Sequence, residues 1–223
     1  MRGLSGYYRI KSVRIIVSTQ DPGDAPCVYI GNRDAAYEMT EHLIQFGHQR
    51  ISFLWGGPQH RSSGERYVGY EAAMKDYGIS LDKRLVIPGN YTFDDGFRGT
   101  RRLFSLRKPP TAIFASNDEI AAGVLAAARS TGINVPYQLS ITGFEYSPFS
   151  RQSWLALTTA KQVTEDIARH AARLLISHLR SSDFYDEQPA QLQNRSFVPQ
   201  LVVRGSTVPV PASTGKSFPP ESA

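Results

Sequence analysis

The chain has 223 residues, 41% hydrophobic and 20% charged, a globular balance that excludes low-complexity and collagen-like chains. Its one cysteine, Cys27, excludes an intramolecular disulfide framework, and no apolar run approaches the ~18–20 residues a membrane-spanning helix needs. The net charge of +5 comes from scattered Lys and Arg. The densest spots are Arg101-Arg102, Arg107-Lys108 and the trio Arg9, Lys11 and Arg14; none is a nucleic-acid-binding run, so a solvated surface is expected.

Residues 1–18 are basic, but their one apolar run, 15–17, is too short for a signal-peptide core of ~7–15 residues. A cytoplasmic protein is expected. A helix is predicted over 34–46, with Ala36, Met39, Leu43 and Phe46 on one face, Asn32 as its cap and Gly47 as its stop. Residues 50–55 (RISFLW) read as a strand ending in Gly56-Gly57-Pro58. A second helix begins at Ser62, which has capping-box spacing to Glu65, and ends at Gly78. A third begins near Thr92, paired with Asp95 in the same way. Residues 111–115 (TAIFA) form a second strand. A fourth helix, rich in small residues, follows Asn117 and ends at Gly132. Residues 139–143 form a third strand.

Strands alternating with helices of this length predict an α/β fold: a parallel sheet flanked by helices on both faces, with right-handed crossovers. In such sheets ligands sit beyond the carboxyl ends of the strands. Here those ends are 56–60, 116–117 and 143–145, and polar residues collect at all three. Beyond them the pattern changes. Residues 154–160 are extended. Residues 163–180 form an amphipathic helix with Ile167, Ala171, Leu174, Leu175 and Leu179 on its apolar side. Residues 181–194 are loop-like, and 197–204 are a last strand interrupted by Pro199. From Ser206 a disordered tail is expected.

No signature of catalysis appears. There is no G-x-S-x-G elbow, no H-E-x-x-H and no metal-spaced Cys/His set. Gly215-Lys216-Ser217 has the ending of a P-loop, but Val210 stands where the earlier glycine would be. No catalytic residue, metal or cofactor is therefore expected. Glu145 and His60 read as ligand contacts rather than an acid–base pair.

Five segments share an order and spacing: GHQRISFLWGGPQHRSSGERYVGYEAAM from Gly47, PTAIFASNDEIAAGVLAA from Pro110, VPYQLSITGFE from Val135, LTTAKQ from Leu157 and LVVRGST from Leu201. Together they resemble the effector-sensing region of LacI/GalR-type transcription regulators, across roughly residues 18–208. The resemblance implies a type I periplasmic-binding-protein-like fold of two α/β subdomains, with an effector between them and a helix-turn-helix head that reads operator DNA. Met1 falls inside that pattern, so the head, its hinge helix and the first βα units are not in this sequence. One nearly complete subdomain plus part of a second is expected. Residues 1–33 read as a remnant of the N-terminal subdomain and 34–160 as the C-terminal one. Residues 161–193 read as a helix of the N-terminal subdomain, 194–205 as a crossover strand and 206–223 as the tail.

The resemblance implies an effector site, for a sugar or sugar derivative, at His60, Ser62, Arg66, Tyr91, Asn117, Glu145 and Gln162. Arg66 would clamp the effector through its fork of donors and Tyr91 would stack on it. His60 and Ser62 share a loop; Ser62 alternatively caps its helix, as Asn117 can. Glu145 stands where the family commonly has aspartate, and Ser18 or Thr19 replaces a family acidic residue. Homodimerisation through the C-terminal subdomain is also implied, around 120–128 and 151–154; a fragment keeping that surface could form mixed dimers. The rival reading is a periplasmic sugar-binding protein of a transport system.

Overall fold

A strand is buried at every position where helices cover both of its faces. Ile51 to Leu54 is such a strand: all four residues are buried. The computed structural model describes residues 16–18, 27–181 and 195–210. In chain order its elements are β1 (Ile16–Ser18), β2 (Cys27–Ile30), α1 (Asn32–Gln45), β3 (Ile51–Leu54), α2 (Arg61–Asp76), β4 (Val86–Ile87), α3 (Phe93–Phe104), β5 (Ala112–Ala115), α4 (Asp118–Ser130), β6 (Ser140–Thr142), α5 (Pro148–Gln152), β7 (Thr159–Lys161), α6 (Thr164–Ser181), β8 (Arg195–Phe197) and β9 (Gln200–Val202).

The chain divides into two units. Unit 1 takes Met1–Ile30 and Val163–Phe197, and unit 2 takes Gly31–Gln162 and Val198–Ala223. Unit 1 holds a parallel sheet in the order β1-β2-β8. Helix α6 covers it with Ile167 and Ala171 against Val28 and Ile30. Leu174 packs there too, but Leu175 turns outward and is exposed, so the apolar stripe is narrower than its sequence pattern. The side chain of Leu179 lies outside the described residues.

Unit 2 holds a four-stranded parallel sheet in the order β4-β3-β5-β6. Alternation along its strands feeds two cores. Ile51, Phe53, Ala112 and Phe114 pack under α1 and α2; Leu54, Ile113, Ala115 and Ile141 pack under α3 and α4. The small residues of α4 serve this second layer. A Cβ on Gly123 would collide with the α3 backbone at Phe93, so the glycine sets how closely the two helices approach. Consecutive strands leave β3 in opposite directions, which makes the boundary between β3 and β5 the topological switch point of the sheet.

Several expectations are corrected. Asn32 is the first residue of α1, not its cap, and Gly31 stands before it with no side-chain cap. Ser62 lies inside α2, whose cap position is His60, again without a side-chain bond. The strand expected over 197–204 is two strands in different sheets, β8 and β9; Pro199, lacking an N–H, falls at the break. Short α5 was not foreseen, nor were β2 and the two-residue β4. The tail does not begin at Ser206. Ser206 and Thr207 are buried, Ile141 N donates to Ser206 O at 2.8 Å, and Val210 N donates to Phe46 O at 2.7 Å. His48 completes the closure: Nε2 lies 3.1 Å from Val208 O and from Ser140 Oγ, and Nδ1 lies 3.0 Å from Thr111 Oγ1. Residues 211–223 lie outside the described residues.

Candidate functional site

The candidate site is built at the carboxyl ends of the unit 2 strands. Arg66 is its centre. It sits on the second turn of α2 and is only 3% exposed, so its guanidinium must be satisfied by protein. Nε donates to Asn32 Oδ1 at 3.0 Å, and Nη1 donates to the carbonyl of Ser116, the residue after β5. The plane of the group stacks on Phe144, 3.8 Å from the ring centroid. Arg66 therefore ties α2 to the start of α1 and to the segments that follow β5 and β6. Burial pulls its pKa down from the ordinary arginine value, while Tyr91, Glu145, Glu65 and Asp118 push it back up.

Tyr91 follows β4 in the left-handed region, at φ 66°, where a non-glycine residue costs about 1–3 kcal/mol unless its surroundings impose it. Two features impose it. The Thr92–Asp95 capping box forms as the sequence predicts, and Asp95 also accepts from Asn90 N at 2.7 Å. On the other side the ring packs against Gly56, where any Cβ would collide with the ring carbons of Tyr91. Held this way, the ring centroid is 6.0 Å from Arg66 Cζ and 4.9 Å from the His60 ring. Ser62 Oγ lies 3.4 Å from the Tyr91 hydroxyl.

Glu145 follows β6, also at positive φ, 114°. Its Oε1 lies 3.8 Å from Arg66 Nη1, with 41% of the side chain exposed. Partial burial pushes its carboxyl above the ordinary glutamate range, Arg66 opposes the shift, and Asp118 and Glu119 add to it. The loop is pinned by Asp118, whose carboxylate accepts from Ser147 N and from Thr159 Oγ1, both at 2.7 Å. Burial raises the Asp118 pKa against those two hydrogen bonds.

The structure thus brings together Arg66, Tyr91, His60, Ser62 and Glu145. Asn117 stands at their edge. Its Oδ1 caps α4 by accepting from Ile120 N, and its Nδ2 donates to Tyr91 O at 3.3 Å, so it steadies the aromatic more than it offers free groups. Gln162, half-buried after β7, makes no hydrogen bond to this group among the described residues. Sequence reasoning missed Asn32, Gly56, Asp118 and Phe144. Asp118 and Phe144 adjoin named residues and were open to inspection, whereas Asn32 joins the site only through the packing of α1 on α2. Beside Tyr91 an open, largely acidic depression of about 440 Å³ is lined by Asn90, Thr92, Asp94, Asp95, Arg98 and Glu119; Arg66 does not line it. Among the described residues no three His, Cys, Asp or Glu side chains are grouped to hold a metal ion.

Chemically the site offers a fixed cation, a carboxylate beside it, two tilted rings and a hydroxyl. That combination suits a small polar solute with an apolar face. A family model described as a periplasmic binding protein-like domain matches residues 40–207. The chain is 32% identical over 188 residues to the HTH-type transcriptional repressor CytR of Escherichia coli (strain K12), covering 84% of this chain and 53% of CytR. It thus spans about half the length of that curated relative. Among solved structures, the Escherichia coli transcriptional repressor AscG superposes with a TM-score of 0.76 at 28% identity, over 87% of this chain and 69% of AscG. A sugar-binding LacI-family regulator from Escherichia coli, in complex with phosphate, gives 0.77 at 27% identity, over 87% and 68%. The chain belongs to the periplasmic binding protein-like domain family, and the proteins it is similar to within that fold include transcriptional repressors and a LacI-family regulator.

Proposed function

We propose that this chain is the ligand-sensing region of a LacI-type transcriptional regulator and that it binds a small effector, a sugar or sugar derivative, at the strand tips of unit 2. Binding there would control DNA binding by a head that is not part of this sequence, and the chain itself would catalyse nothing. The observation that carries the reading is the convergence of Arg66, Glu145, Tyr91, His60 and Ser62 at the switch point of the sheet. A sugar presents hydroxyls as donors and acceptors and C–H groups on its faces. Arg66, whose Nε and Nη1 are held by Asn32 and Ser116, supplies a fixed positive charge, Glu145 supplies an acceptor, and Tyr91 supplies a face for the C–H groups. The sugar-binding regulator among its neighbours supports the ligand class, and relatives named as repressors favour a cytoplasmic regulator over a transport protein. A second copy of the chain is the expected partner, through the face that carries Trp154.

Calorimetry of the chain against a panel of sugars and sugar derivatives tests the proposal. It expects saturable heat with at least one compound, lost in Arg66→Ala. Heat unchanged in that variant would show that the ligand sits elsewhere, and product formation would replace the sensor with an enzyme.

A further inference from the structure

Three cations that lie far apart in the sequence meet around one aromatic ring, that of Tyr146. Tyr146 follows Glu145 in the turn after β6 and stands in the left-handed region, at φ 61°, a conformation that a bulky residue takes only where its surroundings impose it. Its N–H donates to Thr159 Oγ1 on β7, 3.4 Å away. Arg204 Cζ lies 4.8 Å from the ring centroid, Arg151 Cζ 5.4 Å and Lys161 Nζ 5.4 Å. Arg151 is on α5, Lys161 ends β7, and Arg204 follows β9, the strand that pairs with β7. All four residues belong to unit 2.

The ring does not account for the cluster by itself. An aromatic face attracts a cation, but three like charges gathered around it repel one another. Among the described residues no carboxylate pairs with any of the three. The two acids that adjoin this turn are engaged elsewhere: Glu145 faces Arg66, and Asp118 accepts from Ser147 N and Thr159 Oγ1. Arg204 has a structural duty, since its Nη1 donates to the carbonyls of Ser150 and Leu157 at 3.2 and 2.7 Å. That explains one cation of the three. Arg151 and Lys161 are both exposed, and the ring is their one partner among the described residues.

We propose that Arg151, Lys161 and Arg204 form an anion seat that takes the phosphoryl group of a small solute. A phosphoryl group carries about −1.5 to −2 charge and three strong acceptor oxygens, so it can meet three cations at once. A carboxylate brings a single charge and would leave part of the cluster unmatched. Arginine offers phosphate oxygens its planar fork, and lysine adds a compact charge. The cations surround one ring rather than running along a surface, which suits a compact anion rather than a polymer. The seat is distinct from the effector site: none of its residues is among those that converge on Arg66, and it stands whether or not a sugar binds there. Free phosphate and a phosphorylated metabolite share the chemistry it recognises.

Thermal unfolding of the chain in rising inorganic phosphate, with potassium chloride holding the ionic strength constant, tests the proposal, because a ligand of the folded form raises the melting temperature as its concentration grows. The melting transition itself reports that each variant folds. One variant carries Arg151→Gln and Lys161→Gln and leaves Arg204 to hold Ser150 and Leu157. A second, matched in charge, carries Arg33→Gln and Lys75→Gln, both at exposed positions. The expected result is a saturable rise in the wild-type chain and in the matched variant, with the apparent Kd about tenfold or more higher in the first variant. No rise beyond that in chloride, equal losses in the two variants, or an equal rise in acetate would overturn the proposal. So would a phosphate effect that survives Arg151→Gln, Lys161→Gln and is lost in Tyr91→Ala, which would move the anion to the effector site and leave the sensor reading intact. Glucose 6-phosphate separates the two sources: tighter binding than inorganic phosphate, weakened in the first variant, assigns the seat to a phosphorylated metabolite, and equal binding with the same weakening assigns it to the free ion. Either result supports the seat.

Discussion

Arg66 Nη1 and Glu145 Oε1 stand 3.8 Å apart, the first on a side chain almost wholly buried and the second on one open to solvent. The pair is asymmetric. Arg66 is held by Asn32, Ser116 and Phe144 whether or not Glu145 is present. Arg66→Ala should therefore cost both binding and about 2–4 kcal/mol of stability, because buried acceptors lose their donor. Arg66→Lys should not restore binding, since lysine lacks the fork. Glu145→Gln should change stability by less than about 1 kcal/mol. Denaturant titration and calorimetry on the three variants separate these outcomes.

The same pair predicts how effector binding responds to pH. The Glu145 carboxyl is pushed above its ordinary value by burial, so it takes up a proton at a higher pH than a free glutamate. If its charged form grips the ligand, affinity falls on acidification and starts falling earlier than an exposed glutamate would allow. In Glu145→Gln that limb should vanish. Calorimetry across the acidic range checks it, and an identical profile in the variant would assign the limb to another group.

Gly56 should matter to the site although it touches no ligand. A methyl group there displaces the Tyr91 ring, and with it the contacts to His60 and Ser62. Gly56→Ala is expected to weaken effector binding about tenfold or more, as a misplaced binding surface does. The Tyr91→Ala, Gly56→Ala double variant should be little worse than Tyr91→Ala alone. Additive losses in the cycle would mean that the glycine acts on something other than the ring.

His48 predicts an acid limit to stability. Val208 O can only accept, so Nε2 carries the proton and Nδ1 accepts from the Thr111 hydroxyl; both ring nitrogens are satisfied in the neutral form. Burial pushes its pKa down from the ordinary value near 6.5, and the Val208 carbonyl opposes this only partly. His42, also lowered by burial and by His48, sits 3.1 Å from Thr207 Oγ1. In the unfolded chain both residues protonate first as pH drops, so stability is complete above their ordinary value and is lost as pH falls toward the folded one. The melting temperature should fall between about pH 7 and 5, and less so in His48→Gln. A flat profile would remove the latch.

Trp154 is 78% exposed beside α5, more than an aromatic normally leaves in water without a partner. Trp154→Glu should shift a dimer to monomer in sedimentation velocity without lowering the melting temperature of the monomer. A wild-type chain that is monomeric at high concentration would leave this face without a role in assembly.

Legibility followed the range of each interaction. The Thr92–Asp95 box and the Asn117 cap were readable because their partners lie three residues apart, and β3, β5 and β6 because each is a short run of apolar and small or β-branched residues followed by turn or capping residues. Asn32 and Ser62 have the chemistry of caps too, yet neither caps: Asn32 is drawn to Glu65 and Arg66, across the helix pair. Strand β4 is too short to show a period. Of the site, the residues at strand ends were within reach because an α/β sheet advertises its ligand end. The stack of Arg66 on Phe144 and the seat of Tyr91 on Gly56 depend on contacts between distant segments that one sequence does not display.

Unit 2 is nearly all written by residue 162, yet it is closed by residues that follow a whole excursion of the chain through unit 1. Since a ribosome issues the chain from its amino end, the strands and helices of unit 2 emerge early and wait for Ser206, Thr207 and Val208 to seal the floor beneath β6. A message cut before the codon for Ser206 would release a product with every site residue in place and its base unlatched.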